Sequence, residues 1–188
     1  EELRARRDRS RAEHISLDAL QQAALGEKDP SAAAWLEGFG KRSGAGVPTR
    51  VAAALVVEPG WEHAVETVLG DYLEAVCVGD LDQLGEELQR LERGALSFLE
   101  TTGAGATGNA GTLAARVQGP EAALAMLARV HTCATLAQAL RERRHLQPGD
   151  SLVTPTGEWL GRDWLRLRRG GDPHAGVLER AQRLKVLA

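Results

Sequence analysis

The chain has 188 residues, 43% hydrophobic and 26% charged, with a formal net charge of −3, enough apolar material for one substantial core or two small ones. It contains no apolar run of about 18 residues, and its N-terminal "EELRARRDRSRAEH" has no apolar centre, so neither a membrane span nor a secretory signal is expected. There is no initiator Met, which makes a segment excised from a longer chain the expectation.

The first 34 residues are rich in Ala, Leu, Arg and Glu, a helical composition. Leu3, Leu17 and Ala24 hold a seven-residue register that Ser10 weakens. "TRVAAALVV" (residues 49–57) predicts a buried strand, followed by a turn at Pro59 and Gly60. Trp61, Ala64, Val65, Val68 and Leu69 then form the apolar stripe of a helix that Gly70 ends. "YLEAVCV" reads as a strand, and "DLDQLGEELQRL" as a helix with Asp80 and Gln83 as its capping pair and Leu81, Leu84, Leu88 and Leu91 inward. "ALSFL" is a third short strand.

The same order of elements then returns. "GTLAARV" reads as a strand, "PEAALAMLARV" as a helix with Pro120 at its first position, and "HTCATLAQALRER" as a helix capped by Thr135 and Gln138. "GDSLVTPTGEWLG" supplies strands divided by Pro155 and Gly157. The pattern predicts two similar α/β lobes rather than one continuous sheet. At the C-terminus Val177, Ala181, Leu184 and Ala188 recur at 4-3-4 spacing, as in a coiled-coil strand. This helix and the N-terminal one can pair as stubs of a longer antiparallel hairpin.

Between the lobes lies "FLETTGAGATGNAGTL", in which Gly103, Gly105 and Gly108 spell G-x-G-x-x-G. A dinucleotide loop needs a helix opening on the third glycine and an acidic residue about 20 positions on. Gly108 is followed by "NAGTLAARV", and residues 123–135 contain no Asp or Glu, so the segment reads as a linker. Walker spacing fails at Gly40-Lys41, which is followed by Arg42. His63 beside Glu62 and Glu66 reads as a solvated helix face rather than an acid/base pair, and Ser97 and Ser151 lack a nucleophile elbow. Cys77 and Cys133 sit in apolar stretches without C-x-x-C pairing or a His at ligand spacing. They read as small buried residues of a reducing compartment, with no metal site expected. Charge is uneven: residues 1–50 carry +1, residues 51–100 carry −9 and residues 101–188 carry +5.

The stretch "ALVVEPGWEHAVETVLGDYLEAVCVGDLDQLGEEL" resembles the first lobe of the hinge domain of structural maintenance of chromosomes (SMC) proteins, with "RGALSFLET" in the place of that family's later strand. "GDSLVTPTGEWLG" is similar to the second-lobe counterpart, and "GVLERAQRLKVL" looks like the start of a returning coiled-coil arm. The run "GRDWLRLRRGG" replaces the family's terminal glycine pair, and the central linker is unusually glycine-rich. The resemblance implies an α/β (α+β) fold of two similar lobes, each a small sheet with packed helices, flanked by coiled-coil helices. On this reading residues 1–34 are an arm stub, 35–100 the first lobe, 101–112 the linker, 113–171 the second lobe and 172–188 the returning arm. It further implies a non-catalytic homodimerisation domain at the apex of a coiled coil. Its ATP-binding head domains lie outside the segment, no cofactor lies within it, and the protein is cytoplasmic and associated with the nucleoid.

In such a dimer the first lobe of one copy meets the second lobe of the other, which also gives the opposite charges a use. Short strands near glycines can pair through their backbones, with aromatic side chains as anchors. The candidate interface is therefore "GALSF" (Gly94, Ala95, Leu96, Ser97 and Phe98) together with Gly157, Trp159, Leu160 and Gly161 of "TGEWLG". Lys41, Arg42, Arg162, Arg166, Arg168 and Arg169 are candidate contacts for DNA phosphates, without sequence readout. The alternative reading is a two-lobe domain, ligand-binding or enzymatic, with its ligand between the lobes.

Overall fold

A computed structural model describes residues 16, 30–43, 48–102, 109–167 and 176–187. The heptad positions Leu3, Leu17 and Ala24, the glycines Gly103, Gly105 and Gly108, and Arg168 and Arg169 lie outside the described residues. The fold is the expected mixture of helices and small sheets, arranged as two lobes with the same element order.

The first helix, α1 (Pro30–Ser43), is followed by a single helical turn, α2 (Val51–Ala54), and the two-residue strand β1 (Val56–Val57). A strand over residues 49–57 was expected. Three consecutive alanines have the highest helix propensity and little side chain to offer a sheet, and the turn buries Val51, Ala52 and Leu55 completely. Helix α3 (Glu62–Leu69) forms as expected and ends at Gly70, whose φ of +51° is a conformation that glycine accepts readily. One 3-10 turn (Gly70–Glu74) shortens the next strand to β2 (Val76–Val78).

The helix expected over residues 80–91 is broken. A 3-10 turn (Asp82–Leu84) runs into the four-residue α4 (Gly85–Leu88), and Leu81 and Leu88 are exposed while Leu84 is buried. The Asp80 Oδ1 accepts the Asp82 N–H at 2.8 Å in a local turn that competes with a helix cap, and Gly85 lowers the helix propensity in the middle. Strand β3 (Phe98–Glu100) closes the lobe and pairs in parallel with β2, Val76 opposite Phe98.

The second lobe repeats the sequence of elements. A 3-10 turn (Leu113–Arg116) stands where α2 stood, so the strand expected from "GTLAARV" reduces to β4 (Val117–Gln118). Helix α5 (Glu121–Leu127) leads to β5 (Val130–Thr132), a strand that takes residues from both of the expected helical stretches. Helix α6 (Leu136–Glu142) is capped as expected: the Thr135 hydroxyl accepts the Gln138 N–H at 3.2 Å, and Gln138 Oε1 accepts the Ala134 N–H at 3.3 Å. Strands β6 (Ser151–Val153) and β7 (Trp159–Leu160) follow, divided by the expected turn, and β8 (Leu165–Arg166) was not foreseen. The sheet order is β5-β6-β7-β8, parallel only between β5 and β6. Helix α7 (Val177–Leu187) returns onto the body.

The lobes are joined through their equivalent elements. Strands β1 and β4 pair antiparallel, Val57 opposite Val117, and α3 packs on α5. One core unites Val51, Leu55, Val65, Leu69 and Leu73 of the first lobe with Leu113, Val117, Leu127 and Val153 of the second and Val177 and Leu178 of α7. A second cluster lies on the far face of β2–β3, where Trp35 and Phe39 of α1 cover Val76, Val78 and Phe98. A third fills the second lobe beneath α6 with Cys133, Ala139, Leu152 and Leu160.

Candidate functional site

Strand ends and strand edges carry backbone donors and acceptors, so the first question is which edges are covered. In the first lobe one side of β2 is covered by the chain entering α2: Cys77 N–H donates to Thr49 O at 2.8 Å and Val51 N–H to Ala75 O at 2.9 Å. The other side of β2 carries β3, and beyond β3 no strand pairs among the described residues. The second lobe repeats this: Thr112 bridges His131 on one side of β5, and β6 pairs on the other side, in the place of β3. There the β7–β8 hairpin covers β6. The lobes thus differ at this edge: among the described residues no strand pairs beyond β3, where the second lobe carries two extra strands.

The outermost of those strands is apolar and exposed. Trp164, Leu165 and Leu167 keep 48%, 45% and 47% of their surface, large apolar side chains left to solvent on and beside the last strand of the sheet. Trp164 rests edge-on against Trp159 at a centroid distance of 5.1 Å, and the Arg166 guanidinium lies 5.9 Å from the Trp159 ring. The alternation Leu165-Arg166-Leu167 is the sequence signal for β8.

The expected interface residues fall around these edges. Gly94, Ala95 and Ser97 are exposed in the connection entering β3, and Ser97 O accepts the Val76 N–H at 2.8 Å. Leu96 and Phe98 pack beneath α1, with Phe98 edge-on to Trp35 at 5.8 Å. Leu160 is fully buried in β7, and the Trp159 Nε1–H donates to Ser151 Oγ at 2.9 Å. Gly161 is covered by the Trp164 indole, and Gly157 faces α3.

The basic residues do not converge on one place. Lys41 pairs with Glu37 at 2.7 Å and Arg42 with Glu87 at 2.6 Å, both on the first-lobe side. Arg162 and Arg166 belong to the exposed hairpin, where Arg143 donates to the Arg162 carbonyl.

Glu66 was expected on a solvated face, and the structure corrects this: it is 2% exposed. Its Oε2 accepts the Gly176 N–H at 3.1 Å and its Oε1 the Leu178 N–H at 3.0 Å. Burial pushes its carboxyl up from the ordinary value, and the two N–H donors, with His63 Nδ1 at 3.7 Å, draw it partly back. Burial does not show in one sequence at a single Glu on an amphipathic helix, because its partners are 110 and 112 residues away. The space between the lobes, where the alternative reading put a ligand, is filled by the shared core. Two clefts lie within single lobes, one of about 590 Å³ lined by Thr49, Cys77 and Asp80 and one of about 450 Å³ lined by His131, His145 and Asp150.

Residues 44–143 match the family model for the SMC proteins flexible hinge domain. The chain belongs to the SMC hinge family. Among its relatives the chromosome partition protein Smc of Coxiella burnetii is 38% identical over 175 residues, covering 92% of this chain and 15% of that protein. Smc of Xanthomonas oryzae is 39% identical over 161 residues, covering 86% of this chain and 14% of its own length. This hinge chain therefore spans about a seventh of the curated relatives it matches. An asymmetric dimer of the Geobacillus stearothermophilus SMC hinge domain has the same fold, with a TM-score of 0.71 at 18% identity over 99% of this chain and 82% of that one. The hinge of Smc is a non-catalytic domain. Among the described residues no helix is long and apolar enough to cross a membrane.

Proposed function

We propose that this hinge domain joins two copies of a chromosome partition protein at the apex of their coiled-coil arms. The observation that carries the reading is the mismatch between the lobes: among the described residues no strand pairs beyond β3 on one, and β8, with exposed Leu165 and Leu167 on and after it, ends the sheet on the other. If β8 of one copy adds to β3 of its partner, the β2–β3 and β5–β8 strands become one sheet, and a two-fold axis repeats the contact. Backbone hydrogen bonds then satisfy both edges, while Trp164, Leu165 and Leu167 leave water; Gly94, Ala95 and Ser97 flank the contact from one side and Gly157, Trp159 and Gly161 support it from the other. A contact of standard size buries about 800 Å² per partner. The −9 and +5 segments bring opposite charge to each of the two contacts.

In the whole protein, ATP would be bound and hydrolysed by head domains outside this segment, in the cytoplasm on the nucleoid, and the hinge itself holds no cofactor. DNA contact is a second part of the reading, supported by Arg143, Arg162 and Arg166 on the hairpin side.

Light scattering across a dilution series tests the dimer. The expected mass is about 40 kDa, twice the 20.1 kDa chain, and Leu165→Asp should give a folded monomer. A wild-type monomer at every concentration would remove the reading. Titrating the same samples with a labelled single-stranded oligonucleotide tests DNA contact: Arg162→Glu with Arg166→Glu should abolish salt-sensitive binding, and unchanged binding would exclude this surface.

A further inference from the structure

We propose that Glu66 is a two-oxygen clasp that fastens the returning arm to the first lobe, and that His63 and Gly157 connect this clasp to the hairpin bearing the β8 edge. The functional consequence rests on the hinge reading: movement at a dimer edge would be felt where the arm leaves the body.

The first N–H groups of a helix have no partner within it. In α7 two of the groups at that end, Gly176 N–H and Leu178 N–H, are taken by the two oxygens of one carboxylate on α3. The hold continues along one stripe of the arm at i, i+4 and i+7 spacing. Leu178 is fully buried, Gln182 Nε2 donates to Val57 O at 3.3 Å, and Lys185 Nζ donates to Leu55 O at 3.1 Å. The arm is thereby part of the hinge body: its Gln182 and Lys185 side chains donate to first-lobe carbonyls, while Glu66 reaches from α3 to accept from the arm's own backbone.

On its other flank the clasp reaches the second lobe. The His63 ring stands between Glu66, 3.7 Å from its Nδ1, and Gly157. A Cβ on Gly157 would lie 2.5 Å from His63 Cδ2 and 2.8 Å from Thr67 Oγ1, and φ there is +81°, so only glycine lets the turn come this close. That turn opens directly into β7, the strand on which β8 rests. The path from β8 to the arm therefore runs through β7, Gly157, His63 and Glu66, each touching the next.

Amide hydrogen exchange on the 188-residue chain, read by mass spectrometry on residues 176–181, tests the clasp. In Glu66→Gln the amide group offers only one acceptor and sets a donor against an N–H. Exchange at residues 176–181 is expected to rise about tenfold while residues 130–153 stay within about twofold. Gly157→Ala, which displaces His63, is expected to raise the same amides about threefold. Unchanged exchange at 176–181 in Glu66→Gln would overturn the clasp, and so would a uniform rise over the whole chain. Unchanged exchange in Gly157→Ala would overturn the link to the hairpin. If Glu66→Gln does not fold, Glu66→Asp, one methylene shorter, takes its place. If that too fails to fold, the carboxylate supports the core as a whole and the clasp is wrong. Light scattering on the same wild-type sample reads the dimer separately: a monomer with slow amides at 176–181 removes the dimer reading and leaves the clasp standing.

Discussion

Cys133 lies in the second-lobe core, its Sγ 3.4 Å from the Glu142 Oε2 that accepts its proton. Burial, reinforced by that carboxylate, pushes the thiol up to about 11, against an ordinary value of about 8.5. Because the thiolate is the reactive species, Cys133 should stay unmodified by a thiol reagent at pH 8 and react only as pH approaches 11 or the chain unfolds. Peptide mapping after timed alkylation checks this, and rapid labelling of Cys133 in the folded chain at pH 8 would contradict it. The sequence supported the bland reading of this residue, since an apolar neighbourhood without a second ligand leaves a cysteine little else to be. It could not mark Glu66. A carboxylate three residues from a histidine looks the same whether it meets water or the end of a helix from the far end of the chain.

At the scale of elements, the outgoing and returning helices are held by different means. Helix α1 rests on one aromatic cluster: Trp35 stacks on Phe39 at 5.2 Å, meets Phe98 edge-on, and donates its Nε1–H to Glu87 O at 3.0 Å. Trp35→Ala is expected to cost about 3–5 kcal/mol, seen as a lower denaturation midpoint; a cost below about 1 kcal/mol would mean that α1 does not lean on the lobe. The amphipathic helix α3 and the Thr135 cap were legible because their signals are local, a stripe of period 3.6 and a hydroxyl three residues before an amide. The strands expected at residues 49–57 and 111–117 were misread for the opposite reason. A short apolar run is compatible with either state, and what decides is whether a neighbouring strand is there to pair; in these runs only Val56, Val57 and Val117 lie in a strand, and Arg50 and Thr112 make single bridges.

For the molecule as a whole, the shared core has a consequence for unfolding. Residues of both lobes and of α7 pack in one cluster, and β1–β4 and α3–α5 join equivalent elements, so neither lobe buries its apolar face alone. Calorimetry should show one cooperative transition in which the calorimetric and van't Hoff enthalpies agree, once dimer dissociation is taken into account. Two resolved transitions would mean that the lobes are independent.

The sequence by itself determined the two-lobe repeat, the amphipathic helix α3, the Thr135 cap and the resemblance to SMC hinges, because each is written in neighbouring residues or in spacing that recurs. Only the tertiary structure decided which strands pair, that Phe98 and Leu160 turn inward while Leu165 faces out, and that Glu66 holds the returning arm. These depend on contacts between residues up to 112 positions apart, and a side chain's role there is set by what the fold brings against it.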